Sequence, residues 1–475
     1  MNKNILLLLL VMSFLLGSCD WLDVETKNKV EEDEMFSDPQ GYRDAMWGIY
    51  ASMAGEKLYG NYLSFGFVDQ LAQLFINKRS EATETVLNQV VKYNYEAEDV
   101  KDEIDAIWLN AYNVIAAANK VLEKINDVEK SSDFPERDVI EAEALGIRAM
   151  LHFDLLRLFA PAYGESTKNS DGIPYSYDFS KENKTMYSVE QVYNNILSDL
   201  TAAQRIYANQ KAFETKSNYF KKQFLHINQQ AVWAIKARVF HSISESDSAF
   251  YYASRVVNME NNSYVLASAE NIAELNNGYI AAPECIFGLY SNQMKERAST
   301  IFYQRGVGAQ TSFVRQDYKT IFDVNSFTAS NTDYRYTAYF EKRTTGIHLI
   351  KFGNYTETID DSRIEGMNLI RIPEMYYIMA EAAYSKNSVE ALGYLNTVLE
   401  SRGLAAIAPE DVNEGSFKEM LFNERQKELW GEGQIFYEYK RLNKNLYNDD
   451  GEEFVAGDKI FVLPLPDDEI EYGNR

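Results

Sequence analysis

The sequence predicts a mostly α-helical protein, a tetratricopeptide-like stack of helical hairpins with a loop-rich region. Three observations carry this reading. Apolar residues recur at i+3/i+4 spacing over most of the chain, whereas β-branched alternation is rare. Leu225 to Asn258 and Arg371 to Gly403 each read as a helix pair close to the ~34 residues of a tetratricopeptide unit, although the Trp/Leu-Gly/Tyr signature of that repeat is missing. Residues 260–345 are rich in Asn, Ser, Thr and Gly with scattered aromatics and only broken periodicity, which reads as long loops, small helices and a short hairpin. Loops of that length in a compact protein are usually functional.

The elements follow in order. Residues 1–18 carry one charge, Lys3, and Ile5 to Leu16 is almost uninterrupted Leu, Val, Met and Phe. As a helix at ~1.5 Å per residue the run spans roughly 18 Å, short of the ~30 Å hydrocarbon core. A positive start, a short apolar core and the small residues Gly17 and Ser18 make a secretory signal over 1–18. Leu16-Gly17-Ser18-Cys19 resembles a bacterial lipobox, so Cys19 is the expected lipidation site. Acyl chains there, at about 0.8 kcal/mol per buried CH2, would hold the protein firmly to a membrane. Two regions follow, 19–225 and 226–475, expected to pack as one globular unit.

In "SDPQGYRDAMWGIYASMAG", Asp38 is the expected N-cap, Pro39 the first helical residue, and Gly55 lies near the stop. "AIWLNAYNVIAAANKVLEKI" keeps Ile107, Ala111, Val114, Ala118 and Leu122 on one side. "ERDVIEAEALGIRAMLHFDLLRLFA" ends at Pro161. "YSVEQVYNNILSDLTAAQRIY" opens with a capping box, Ser188 to Gln191. "INQQAVWAIKARVFHSI" and "DSAFYYASRVVNM" form a hairpin. In the pair after Arg371, Met375, Met379 and Ala382 share one face, as do Leu392, Leu395 and Leu399.

Composition excludes some functions. A formal charge of −24 repels phosphate backbones, so no nucleic-acid partner is expected. The two cysteines are Cys19 and Cys285; with Cys19 lipidated no intramolecular disulfide is available, and Cys285 reads as a buried small hydrophobe. The histidines His152, His226, His241 and His348 form no H-E-x-x-H or Cys2His2 pattern, and there is no G-x-S-x-G elbow or P-loop. "STKNSDGIPYSYDFSKE" lacks the EF-hand order. No catalytic residue, metal site or cofactor is predicted, which favours a binder over an enzyme. Aromatic residues make up 13% of the chain, and many tyrosines fall in loop-like stretches such as "EKLYGNYLSFGF". Tyr pairs a flat apolar face with a polar tip, which suits sugar rings and peptides alike.

"FKEMLFNERQKELWGEGQIFYEYKRLNKN" reads physically as two packed helices around a Gly turn. Phe417, Met420 and Leu421 form a stripe, Glu424, Arg425 and Glu428 stand at ion-pair spacings, and Gly431 and Gly433 break the helix. The run resembles the closing motif of the SusD/RagB family, N-E-R-x-x-E-L-x-x-E-G followed by an aromatic helix ending in Arg. The matching positions are Asn423, Glu424, Arg425, Glu428, Leu429, Glu432, Gly433 and Arg441; the family usually has Asp where this chain has Glu438. "RIPEMYYIMAEAAY", "FVLPLPDDEIEYGN", "EAEALGIRAMLHFDLLRLFAPAYG…GIPY" and the segment from Cys19 resemble other family motifs, collinear to Asn474.

The resemblance implies a surface-exposed, lipid-anchored outer-membrane protein with a tetratricopeptide-like scaffold and a loop-rich ligand-binding region. It implies a SusC-like TonB-dependent transporter as partner and an oligosaccharide as the leading ligand, with peptide as the alternative. A surface hydrolase and a pure scaffold are the less favoured roles. Trp47, Trp108, Trp233 and Trp430 are expected in helices and in the core, leaving mainly Tyr and Phe in the loops, which favours the peptide alternative somewhat. The candidate ligand contacts are Tyr59, Tyr62, Phe67, Asn77, Arg79, Tyr303 and Arg305.

Overall fold

Signals at the helix ends decide where most elements begin. The computed structural model describes residues 34–473 except 77–84, 132, 180–184, 210–218, 220, 260–263, 269–278, 282, 303–311, 323–332, 345 and 353–362. Helix α1 is Pro39–Met53; Asp38 accepts from the Gln40 and Gly41 amides, and Pro39 presets φ for the first turn. A short helix α2, Phe67–Leu71, follows. Helix α3, Glu98–Asn126, buries the expected stripe and extends it back through Ile104 and Val100. Helix α4, Arg137–Phe159, stops before Pro161 and is buried nearly all round, which is why its sequence shows little amphipathic contrast. Helix α5, Val189–Asn209, opens with both bonds of the capping box, Ser188 amide to Gln191 Oε1 (2.9 Å) and Gln191 amide to Ser188 Oγ (3.3 Å).

Helices α6 (Gln229–Ser242) and α7 (Ser246–Val257) form the first predicted hairpin. Helix α8 is Met294–Phe302, within the loop-rich region. Helices α9 (Ile372–Tyr384) and α10 (Ser388–Ser401) form the second hairpin. Helices α11 (Glu414–Leu429) and α12 (Ile435–Leu442) flank the Gly turn. Packing runs α3 to α4 to α5 to α6 to α7 to α9, and α9 also carries α10 and α11. Each hairpin thus buries its apolar face on the next, the tetratricopeptide-like arrangement. The main core reaches from Tyr42 to Leu463 and draws on both 19–225 and 226–475. Leu392, Leu395, Leu399 and Phe417 fill a second cluster among α9, α10 and α11.

Among the described residues the strands form two-stranded antiparallel pairs. They are β1 (Phe75–Ile76) with β5 (Phe313–Val314), β2 (Asp171–Pro174) with β3 (Met186–Ser188), and β4 (Cys285–Tyr290) with β8 (Gly366–Arg371). β6 (Phe340–Lys342) pairs with β7 (Ile347–Leu349), the expected hairpin, and β9 (Leu446–Tyr447) with β10 (Glu453–Phe454). Most are too short to show a two-residue period, and β1–β5 and β4–β8 join distant segments. Among the described residues no helix is long and apolar enough to cross a membrane.

Two expectations are corrected. Trp108, Trp233 and Trp430 are buried, but Trp47 is 41% exposed on the outer side of α1. The loop-like "YGNYLSFGF" is interior: Leu58 through Phe67 are all buried, because Leu58, Leu63, Phe65 and Phe67 enter the core. Cys285 is buried as expected, and burial pushes its thiol up.

A buried ionic network joins the second half of the chain. Glu428 on α11 accepts from Arg335 Nη1 (3.1 Å), Arg371 Nη1 (2.6 Å) and Arg402 Nε (3.0 Å). Glu284 bridges Arg371 and Arg402, each at 2.8 Å. Glu432 takes Arg371 and Lys351, and Glu424 takes Arg335 and Lys427. Asp333 pairs with Arg335. Five cations thus face five carboxylates, and all ten side chains are buried. Arg371 is the N-cap residue of α9 and Arg402 the C-cap residue of α10, so the network fixes both ends of that hairpin against α11. Burial alone would raise Glu428, but Arg402, Arg371 and Arg335 overcome it and hold the carboxyl well below the usual range.

Removing one member strands the others without water. Glu428→Ala should lower the unfolding free energy by about 3–5 kcal/mol in guanidinium melts, and a loss below about 1 kcal/mol would contradict this account. A second group sets the acid limit. Burial opposes it, but Arg441 and Arg425 hold Glu438 down at about 2, against 4.5 for an ordinary glutamate. Its stabilisation is complete above pH 4.5 and is lost as the pH falls toward 2. Melts of Glu438→Gln should show a flatter acid limb over that window than the parent chain.

Candidate functional site

The turn closing the α11 helix decides where the segment after α1 can lie. Asp69 on α2 accepts from the Gly431 amide at Oδ2 (2.6 Å) and from the Gly433 amide at Oδ1 (3.1 Å). Gly433 has φ +69°, and a Cβ there would stand 2.0 Å from the Leu63 carbonyl oxygen. No other residue lets the two backbones approach so closely. Burial raises the Asp69 carboxyl well above the ordinary range, with the Gly431 amide pulling the other way. Residues 58–71 are therefore clamped between the core and the Gly turn.

A polar cavity of about 400 Å³ opens on the outer side of this clamp, between the 61–70 segment, α3 and α8. Asn61, Tyr62, Phe67 and Gln70 line one wall, Glu103 of α3 another, and Thr300 with Ser312 a third. Asn61 Oδ1 is buried and has no hydrogen-bond partner among the described residues. Gly66 allows the approach, since a Cβ there would meet Asn61 Oδ1 at 2.0 Å. Lys57 Nζ donates to the Tyr62 phenol at 2.7 Å, and Tyr62 in turn is hydrogen-bonded to Glu103. Burial lifts Glu103 to about 7, with Lys57 and the Tyr62 phenol pulling the other way. Burial, then Glu103, raises the Tyr62 phenol.

The same cavity lies near the β1–β5 pair, with Ser312 in its lining. β1 pairs with β5 in the register Phe75↔Val314 and Ile76↔Phe313, and the Ser312 amide donates to the Ile301 carbonyl at 2.9 Å. Residues 77–84 leave from the end of β1, and residues 303–311 run from α8 into β5. Chain positions more than two hundred apart thus converge on one opening. Chemically the site offers amide, hydroxyl and carboxyl groups around the flanks of Tyr62 and Phe67. That set can hydrogen-bond a polyhydroxylated or amide-bearing ligand.

Of the predicted contacts, Tyr62 and Phe67 line this cavity. Tyr59 is interior, its phenol donating to buried Asp154 Oδ2 at 2.5 Å, which makes it a strut of the scaffold. Asn77, Arg79, Tyr303 and Arg305 lie outside the described residues. Sequence reading missed Asn61, Gln70, Glu103, Thr300 and Ser312. Glu103 had a signal: it stands three residues after Val100 and four before Ile107, an acid at an apolar-face position.

Another acidic constellation has a different explanation. His241, Glu381 and Glu438 bring ligand atoms within 4.8 Å of one another. Arg425 and Arg441 already donate to Glu381, at 3.1 and 2.7 Å, and Arg441 to Glu438 at 2.6 Å. Two guanidiniums therefore take the place a cation would fill.

Comparisons with known proteins agree with this architecture. Residues 157–461 match the family model described as the SusD family, and residues 20–241 match one described as starch-binding associating with outer membrane. A SusD superfamily protein from Bacteroides thetaiotaomicron is 23% identical, with TM-score 0.76 over 91% of this chain and 98% of that one. A SusD-like carbohydrate binding protein from Bacteroides vulgatus is 17% identical, with TM-score 0.71 over 92% and 96% of the two chains. A SusD superfamily protein from Bacteroides fragilis is 20% identical, with TM-score 0.71 over 92% and 99%. At these identities the likeness is one of fold. No curated protein matches by sequence.

The clamp is testable. Asp69→Ala orphans two buried amides and should cost about 2–4 kcal/mol, whereas Asp69→Asn, which keeps one acceptor, should cost less. Thermal melts of the two variants check the order.

Proposed function

The chain belongs to the SusD/RagB family, and on that premise we propose that it is a non-catalytic surface lipoprotein that captures nutrient oligomers, oligosaccharides first and peptides second. It is moored in the outer membrane through lipid on Cys19 and delivers its ligand to a SusC-like TonB-dependent transporter. The observation that carries this reading is the polar cavity lined by the 61–70 segment, α3 and α8, with an amide oxygen on Asn61 that has no partner among the described residues. A rigid helical stack supports it from beneath, so ligand binding need not order the scaffold. The matched description, starch-binding associating with outer membrane, and the printed name of the Bacteroides vulgatus relative support a sugar over a peptide. Amides and a carboxyl suit ring hydroxyls, each of which both donates and accepts.

Calorimetry against panels of neutral oligosaccharides and of peptides tests the ligand class. One class should bind at micromolar strength, and Gln70→Ala should weaken it about tenfold. Silence from both panels would overturn the capture role. Glu103 adds a pH signature. Its carboxyl ionises near 7 and the carboxylate is the better acceptor for hydroxyl donors, so affinity should rise from pH 6 to 8. Glu103→Gln should flatten that profile. Globomycin-sensitive processing and labelled-fatty-acid incorporation, abolished by Cys19→Ala, check the anchor.

A further inference from the structure

A second cavity, of about 350 Å³, lies between α1, the end of β4 and the start of β8. It is lined by Trp47, Tyr290, Lys222 and Arg363 over a floor of Tyr50, Leu225 and Leu289. Its volume falls at the lower end of the ~300–1,000 Å³ range of small-molecule sites. We propose that it binds a sugar unit bearing a carboxylate, its ring on Trp47 and Tyr290 and its anionic group toward Arg363 and Lys222. This goes beyond the capture reading, because it assigns a different place and a charged ligand class.

Three observations converge. The first is the aromatic pair. Trp47 is 41% and Tyr290 56% exposed, and the two rings line one cavity. Trp47 is also held in place: His226 stands at 5.1 Å, Tyr219 at 5.8 Å and Tyr50 at 6.2 Å between ring centroids. Tyr219 and His226 are themselves fixed by the buried carboxylate of Glu143, at 2.6 and 2.8 Å. An exposed indole braced in this way is a preorganised platform for the apolar face of a sugar ring.

The second observation is charge. The chain carries −24, yet among the described residues two cations and no carboxylate line this cavity. The third is the state of Arg363. Its guanidinium lies 4.4 Å over the Tyr279 ring, and Nη2 is buried without a hydrogen-bond partner among the described residues. Buried guanidiniums elsewhere hold carboxylates, as Arg148 holds Asp199 at 2.7 Å and Arg238 holds Glu374 at 2.5 Å. A guanidinium with an unpartnered Nη2 among the described residues, beside an aromatic platform, is matched by an anionic ring substituent, and Arg presents the planar fork that a carboxylate accepts.

Digalacturonate and its uncharged methyl ester, titrated into the full lipid-free chain and read by tryptophan fluorescence and calorimetry, separate charge from shape. The acid should bind saturably and at least about tenfold more tightly than the ester. Arg363→Gln should remove that preference while leaving ester binding unchanged, and Tyr290→Ala, at an exposed position, should weaken both. N-acetylneuraminic acid as a further probe tells whether the carboxylate must sit on a hexuronate: binding by either acid that Arg363→Gln abolishes supports the site. Gln70→Ala should leave digalacturonate binding intact, so failure here and failure at the first cavity are distinguishable. Equal affinity for acid and ester, no saturation by ~10 mM of either acid, or an Arg363→Gln variant with undiminished preference would each overturn the proposal.

Discussion

The α9–α10 hairpin, α11 and the β4–β8 pair are arranged around one carboxylate that cannot reach water. Glu428 is fully buried and receives three guanidiniums from three different segments. Desolvating that many charges costs several kcal/mol per ion before attraction repays it, so the network adds little net free energy over an apolar core. What it imposes is a condition. All ten partners must arrive in one arrangement, because any absence leaves a buried charge unpaired. The hairpin of α9 and α10, the short helix Tyr334–Tyr339 that carries Arg335, the β4–β8 pair and α11 therefore have one mutual placement that satisfies them all.

That condition is transmitted to the binding surface through the Gly turn. Glu432 belongs to the network, and the amides of its neighbours Gly431 and Gly433 grip Asp69. The 58–71 segment, which shapes the polar cavity, is thus held by the same turn that closes the ionic network. The residues that look like a family signature in the sequence do not touch the cavity; they fix the floor on which it stands. Binding loops can then vary while the floor stays rigid.

The two cavities differ in chemistry because they differ in what supplies their walls. The first gathers amides and hydroxyls from the 61–66 turn, α2, α8 and Ser312, and among the described residues its acid is Glu103, which burial lifts to about 7. The second is built from the outer side of α1 and the edge of a strand pair, where aromatic faces and cations are left uncovered. On the reading proposed above, a strongly acidic chain with two cations and, among the described residues, no carboxylate in this pocket offers a place for an anion as well as for a neutral ligand.

Helix positions were legible from the sequence because they follow from near neighbours. Asp38 before Pro39, Ser188 three residues before Gln191, and the i+3/i+4 stripes of α3, α9 and α10 are local facts, and local hydrogen bonds and one buried face enforce them. The spacing of Glu424, Arg425 and Glu428 likewise announced ion pairs, though not their partners. Tertiary structure alone decided the rest. Tyr59 in a polar-looking stretch went inside, since Asp154 from a distant helix satisfies its hydroxyl; Trp47 on an amphipathic helix stayed partly out, since among the described residues Tyr50, Tyr219 and His226 brace its ring without covering it. Periodicity records which side of an element is apolar. Which distant group meets it, and so whether a polar atom is paired, orphaned or left for a ligand, depends on contacts between residues hundreds of positions apart, and no local pattern encodes those.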